Sequence, residues 1–278
     1  MPVLIAILLG VVEGLTEYLP VSSTGHLILA GHWLGLNDDD PATSSFEVVV
    51  QFGAILAVVA HYRTLLATRI AGLFTGEAAS VKLAGGLAVA FMPAAIVGVL
   101  FRKAIKAHLF GPFPVAVALV VGGVAMIVIE RFLRGRPAAQ SARVESGDSL
   151  AEVTLGRALA VGIGQCFSLF PGASRSMCTI LAGELSGLSA ATAAEFSFLL
   201  ALPTLTAAAG LEAYKGRAAL AAHVGGLSMT VGLLVSFVVA WAVIAVFLKY
   251  LRTHGLEPFG WYRIVLGAAV FWFSALTA

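Results

Sequence analysis

Charge is what this sequence has least of. Asp, Glu, Lys and Arg together make up 12% of its 278 residues, against about a quarter in an ordinary water-soluble domain. That deficit excludes a soluble globular protein. The remainder, 59% hydrophobic residues with a mean hydropathy of +0.97, describes an integral membrane protein. No basic stretch is interleaved with aromatics, so the net charge of +2 implies no nucleic-acid partner. Cysteine is limited to Cys166 and Cys178, without zinc-ligand spacing or a histidine cluster, which leaves both as small apolar filler. The N-terminus lacks the basic segment of a signal peptide, and Glu13 and Glu17 interrupt its apolar run, so it is read as part of the folded protein.

What is present is a series of long apolar runs, near 45–62, 83–101, 113–133, 190–212, 223–250 and 258–276. Each is long enough to cross a bilayer, and Pro93 and Pro203 within them are tolerable kinks. Two further regions, 1–36 and 153–187, fit poorly as spans. Each has two short apolar arms around a polar centre marked by Pro20 or Pro171. Proline disfavours helix at the preceding residue and often starts a new one, which predicts two re-entrant helical hairpins.

The two regions resemble each other. Leu19-Pro20-Val21-Ser22-Ser23 precedes an ILAG at 28–31, and Phe170-Pro171-Gly172-Ala173-Ser174 precedes an ILAG at 180–183; aligning the prolines sets Ser23 beside Ser174. Each region is followed by a span with an acid near its start, Glu47 or Glu195. The expectation is an all-α membrane protein of about six transmembrane helices plus two re-entrant hairpins, duplicated with inverted topology. Residues 1–134 form the first repeat, 135–152 a polar cytoplasmic linker containing Gly135–Gly147, and 153–278 the second repeat. Eleven basic residues, among them Arg63, Arg131, Arg136, Arg143 and Arg263, fall on the linker's side and five, including Lys215, on the other. The linker is therefore expected in the cytoplasm, with the first hairpin opening outward. Gly10-Val-Val-Glu-Gly14 suits a close helix contact within one chain or across a homodimer.

The segment Glu13 to His26, EGLTEYLPVSSTGH, concentrates groups that hydrocarbon rejects. Glu13 and Glu17 share a helical face, where their repulsion would be relieved by an arginine or a divalent cation; oxygen-only ligands favour Mg²⁺ or Ca²⁺. Ser22, Ser23 and Thr24 would open the second arm, with His26 one turn on. A serine or histidine beside a carboxylate can serve as nucleophile or general acid–base; the structural alternative is helix capping by Ser22 and a satisfied buried His26. The second hairpin offers Ser174, Arg175, Ser176 and Thr179 after Gly172. A helix N-terminus with an arginine suits phosphate, although Arg175 could instead neutralise one of the acids.

The motifs EGLTEYLPVSSTGH and PGASRSMCT, with FEVVVQFGAILAV and EFSFLLALP, resemble the signature segments of the bacterial undecaprenyl-diphosphate phosphatase family, also called the bacitracin-resistance family, in order and spacing over essentially the whole chain. The resemblance implies hydrolysis of undecaprenyl diphosphate to undecaprenyl phosphate and inorganic phosphate in the bacterial inner membrane, with a divalent cation. This recycles the lipid carrier of peptidoglycan synthesis. It implies Glu13 and Glu17 as the motif acids and metal ligands, and Glu17, Ser23, His26 and Arg175 as catalytic. Ser22, Thr24, Ser174, Arg175, Ser176 and Thr179 would bind phosphate.

Two other classes compete. An inverted-repeat transporter or flippase for a phosphorylated lipid would use Glu13 and Glu17 as an ion relay and Arg175 as a substrate anchor. An acid-phosphatase-like lipid phosphatase would need a second histidine after the arginine segment, and none occurs between Arg175 and His223. A membrane scaffold leaves the intramembrane polar groups unexplained.

Overall fold

The computed structural model describes residues 1–36, 40–109, 111–134 and 149–277. Among these there is helix and no strand. The first half comprises α1 (Val3–Thr16), α2 (Ser23–Trp33), α3 (Pro41–His61), α4 (Arg63–Thr75), α5 (Ala78–Leu109) and α6 (Pro112–Arg134). A single 3₁₀ turn, Ser149–Glu152, precedes the second half: α7 (Leu155–Phe167), α8 (Arg175–Leu185), α9 (Ala190–Ala219) ending in a π turn, α10 (Gly226–Leu251) and α11 (Glu257–Thr277). The linker Gly135–Gly147, with Arg136 and Arg143, lies outside the described residues. Five helical segments are long and apolar enough to cross a membrane: Pro41–His61, Ala78–Phe101, Phe113–Leu133, Ala190–Val224 and Gly226–Leu251. The sixth expected run is α11, a helix of 21 residues. Short α4, with exposed Ile70 and Phe74 beside Arg63 and Arg69, corresponds to none of the apolar runs in the sequence.

Both expected breaks are present. α1 and α2 have 14 and 11 residues, and α7 and α8 have 13 and 11. At 1.5 Å per residue these arms are about 16–21 Å long, well short of a hydrocarbon layer of roughly 30 Å. Each break ends on a serine with positive φ, Ser22 at 74° and Ser174 at 71°. These are the only such non-glycine residues among those described, a conformation that costs free energy outside glycine. Each serine caps the helix it opens: Ser22 Oγ accepts from the Gly25 amide and Ser174 Oγ from the Met177 amide, both at 3.3 Å. The equivalence is therefore Ser22 with Ser174, which agrees with the two ILAG segments and departs by one residue from the proline alignment. Gly172, at φ +89°, is the extra residue of the second break.

The halves are exchanged. α1 packs on α10 of the second half, and its counterpart α7 packs on α5 of the first; α3 meets α9, and α6 meets α11. Close glycine contacts fix both crossings. A Cβ at Gly10 would lie 2.7 Å from the Gly232 carbonyl and one at Gly14 2.8 Å from that of Ser236. One at Gly162, the counterpart of Gly10, would lie 2.5 Å from the Ala90 carbonyl. The Gly10–Gly14 contact is thus made inside the chain and offers no argument for a homodimer. The main apolar core takes residues from both halves, including Tyr18, Ala54 and Met126 with Ala158, Phe198 and Ile244.

Candidate active site

The two breaks meet. From the first, Glu17 ends α1 and Ser23 begins α2, and Ser23 Oγ donates to Glu17 Oε2 at 2.8 Å. From the second, Arg175 begins α8, and its Nη2 donates to Glu17 Oε1 at 3.1 Å. One carboxylate therefore joins a hydroxyl from the first half to a guanidinium from the second. All three groups are buried, the side chains of Arg175 and Glu17 being 9% and 5% exposed.

The arginine is held from several directions. Its Nη1 donates to the Ser197 carbonyl at 3.0 Å and to Ser197 Oγ at 3.1 Å. Its guanidinium lies 5.5 Å from the centroid of the Tyr18 ring, which is itself anchored by a 2.8 Å bond from Tyr18 Oη to the Ala54 carbonyl. Arg175 Nε has no hydrogen-bond partner, so one buried donor remains available.

A cavity of about 730 Å³ opens against this group. Glu17, Ser22, Ser23, Thr24, Ser174 and Arg175 form its polar end, and both helix N-termini are directed there. Away from them the wall is apolar, with Phe91, Ala94 and Val99 of α5 and Ala208 and Leu211 of α9, and Lys215 closes the lining. Val99 is 81% exposed on the outer face of the bundle, so the cavity passes from buried polar groups to a surface suited to lipid.

Several expected site residues stand elsewhere. Ser176 is fully buried and donates to the Leu19 carbonyl at 2.8 Å, tying α8 to the first break. Thr179 is likewise buried, 2.6 Å from Ser197 Oγ, and stands behind the arginine. His26 Nδ1 donates to the Ser22 carbonyl at 2.8 Å, its Nε2 lies 2.7 Å from Tyr262 Oη, and the two rings stack; it does not line the cavity. Glu13 is fully buried on α1; neither carboxylate oxygen has a partner with ordinary geometry, and Glu17 follows it one helical turn on. Among the described residues no three His, Cys, Asp or Glu side chains gather into a metal-binding set.

The structure adds Gln165, Ser168, Gln51 and Ser197. Gln165 is 2% exposed, lines the cavity, and neither its amide oxygen nor its nitrogen has a partner. It is the counterpart of Glu13 when Ser22 is matched with Ser174. Its signal was present in the sequence as a lone amide in an apolar arm.

A family model described as Bacitracin resistance protein BacA matches residues 6–269. The chain belongs to that family. It is 59% identical to an undecaprenyl-diphosphatase of Sorangium cellulosum over 268 residues, 96% of this chain and 85% of that one. It is 47% identical to undecaprenyl-diphosphatase 2 of Rhodospirillum rubrum over 265 residues, 95% and 92% of the two chains. An undecaprenyl-diphosphatase of Rhizorhabdus wittichii is 43% identical over 276 residues, 99% of each chain. With five apolar helices, membership makes this a multi-pass membrane protein.

Proposed function

We propose that the protein hydrolyses undecaprenyl diphosphate to undecaprenyl phosphate and inorganic phosphate. The observation that carries this reading is the single carboxylate, Glu17, shared between Ser23 and Arg175 at the polar end of a cavity whose other end is apolar. Such a cavity suits an amphiphile with an anionic head and a tail left in lipid. The family's curated relatives are named undecaprenyl-diphosphatases, which supports the choice of substrate.

In this reading Arg175 binds the terminal phosphate through its unpartnered Nε, assisted by the N-termini of α2 and α8. Glu17 accepts the proton of Ser23 as its Oγ attacks the terminal phosphorus. The bond from that phosphorus to the bridging oxygen breaks, and undecaprenyl phosphate leaves with the proton that Glu17 hands to that oxygen, which restores the carboxylate. Glu17 then takes a proton from water as the water oxygen attacks the phosphoserine phosphorus; the bond from phosphorus to Ser23 Oγ breaks, Oγ recovers the proton from Glu17, and phosphate is released. Positioning and charge stabilisation supply most of the rate in such transfers.

A divalent cation, Mg²⁺ or Ca²⁺, fits the donor set in part. Glu13 presents two buried oxygens, neither with a partner of ordinary geometry, one helical turn from Glu17, and Mg²⁺ is commonly held by one or two carboxylates with substrate phosphates and water. When bound it would offset the negative charge of the diphosphate. The same reading has both hairpins re-entrant in an inverted repeat in the inner membrane, with the cavity open to the outside; labelling of single cysteines placed at the two breaks checks this.

The deciding experiment is phosphate release from undecaprenyl diphosphate by the purified protein in detergent, with Mg²⁺, with Ca²⁺ and with EDTA. Release by wild type that is lost in Ser23→Ala and Arg175→Ala supports the reading. A folded wild type that releases none with either cation overturns it and moves the assignment to a transporter.

A further inference from the structure

The largest fully buried side chain among the described residues is not aromatic but Arg263 of α11, at 0% exposure. Its place in the sequence groups it with the basic residues of the linker's side. The structure places it inside the bundle, so it adds nothing to that count.

Its partners are backbone carbonyls, and they come from three places. Nη1 donates to the Pro20 carbonyl at 3.4 Å, in the first break. Nη2 donates to the Gly172 carbonyl at 2.9 Å, in the second break, and to the Ala118 carbonyl of α6 at 3.1 Å. No carboxylate pairs with it among the described residues, and its Nε has no partner. A buried guanidinium without a counter-ion is costly to maintain, so a fold that keeps one needs a compensating use. Its planar fork reaches several acceptors at fixed angles, which an ammonium on a flexible stem does not.

The surroundings are shaped for it. α6 leaves room at Gly122, where a Cβ would lie 2.4 Å from Arg263 Nη2. α6 and α11 approach on glycines: a Cβ at Gly123 would lie 2.5 Å from the Gly260 carbonyl, and one at Gly260 2.8 Å from that of Gly123. Gly172 is pressed on α6 in the same way, a Cβ there lying 2.7 Å from the Val115 carbonyl, so the carbonyl it offers is held in place. The neighbouring Tyr262 holds His26 of α2.

We propose that Arg263 is a positioning residue for phosphate release: it bolts the break before α2 to the break before α8, and so fixes Ser23 and Arg175 on either side of Glu17 at the polar end of the cavity. It touches neither substrate nor the reacting oxygens in this role. The inference rests on the phosphatase reading of the cavity.

The test uses the intact protein, purified as a monodisperse species in detergent, with undecaprenyl diphosphate as substrate. Arg263→Gln is expected to lower kcat at least tenfold with KM within threefold, because the groups are misaligned while the anion still binds. Arg263→Lys is expected to recover part of that loss. Gly122→Ala, which crowds the guanidinium without removing it, is expected to lower kcat threefold to tenfold. Thermal midpoints are measured alongside. A midpoint that falls while kcat per folded molecule stays within twofold of wild type in all three variants overturns the proposal and leaves Arg263 a stability element. Should Arg263→Gln fail to fold, Arg263→Lys and Gly122→Ala decide by the same criterion. A wild type that releases no phosphate defeats the phosphatase reading itself, a distinguishable result.

Discussion

The two broken hairpins share a backbone and divide a chemistry. Ser22 and Ser174 have φ values of 74° and 71°, cap their helices through bonds of equal length, and lie in separate breaks in sequence but at one cavity in space. One position further on, the first hairpin has Ser23 and the second Arg175. Nine residues before the capping serine, the first has Glu13 and the second Gln165. Two similar, exchanged halves thus bring two helix N-termini together, and in the proposed reading Ser23 supplies one half with a nucleophile and Arg175 the other with an anion-binding group. The difference teaches that the backbone geometry is common to both halves, whereas the polar groups differ between them.

The comparison is broken most severely at the residue both halves share. Glu17→Gln is expected to lower phosphate release by about 10³-fold, within the range for loss of a general base, because it removes the proton acceptor of Ser23 and the anchor of Arg175 together. The measurement is kcat on monodisperse protein; a loss under tenfold would detach Glu17 from the chemistry.

Next come the exchanged crossings. Gly10→Val and Gly162→Val push a side chain against backbone carbonyls within 3 Å of where each Cβ must sit. Overpacking of this kind costs about 1–3 kcal/mol. Similar falls in thermal midpoint in the two variants would support equivalent crossings, and a fall in one alone would not.

The divided chemistry is probed by making the halves alike. Gln165→Glu places a second carboxylate on the cavity wall, where it opposes an anionic substrate. About a tenfold rise in KM is expected, equivalent to about 1.4 kcal/mol, and Gln165→Leu should leave KM less affected. An unchanged KM for the glutamate variant would remove Gln165 from the anion site.

Smaller effects test the shared backbone and the histidine. Glycine tolerates positive φ and is an adequate cap, so Ser22→Gly and Ser174→Gly should each change stability by only a few tenths of a kcal/mol. A β-branched residue at either position should cost about 1–3 kcal/mol through strain. Tyr262→Phe removes the hydroxyl beside His26 Nε2 and leaves the ring stack; phosphate release should stay within about threefold, since His26 does not line the cavity. A loss beyond a hundredfold would return His26 to the chemistry.

Much of this was legible one segment at a time. The apolar runs marked the long helices, because hydrocarbon selects on length and polarity, which are local properties. Pro20 and Pro171 marked the breaks for an equally local reason. Glu17, Ser23 and Arg175 stood out because polar groups in an apolar stretch demand an explanation. The family followed from the same segments. By contrast, α4 is too short and too polar to signal itself, and the one-residue offset at Gly172 is hidden because prolines align more visibly than capping serines.

The sequence by itself determined the membrane class, the two interrupted helical regions and the identities of the groups that could act on a phosphate. Only the tertiary structure decided which of those groups meet. It turned Ser176, Thr179 and His26 away from the cavity wall, brought Gln165 onto it, and placed the Gly10–Gly14 contact inside the chain. It also moved Arg263 from an apparent interfacial charge to a buried bolt between the breaks. The physical reason is that hydrophobicity and backbone preference act between neighbours in sequence, whereas the site is assembled from helix ends about 150 residues apart, matched by packing between exchanged halves.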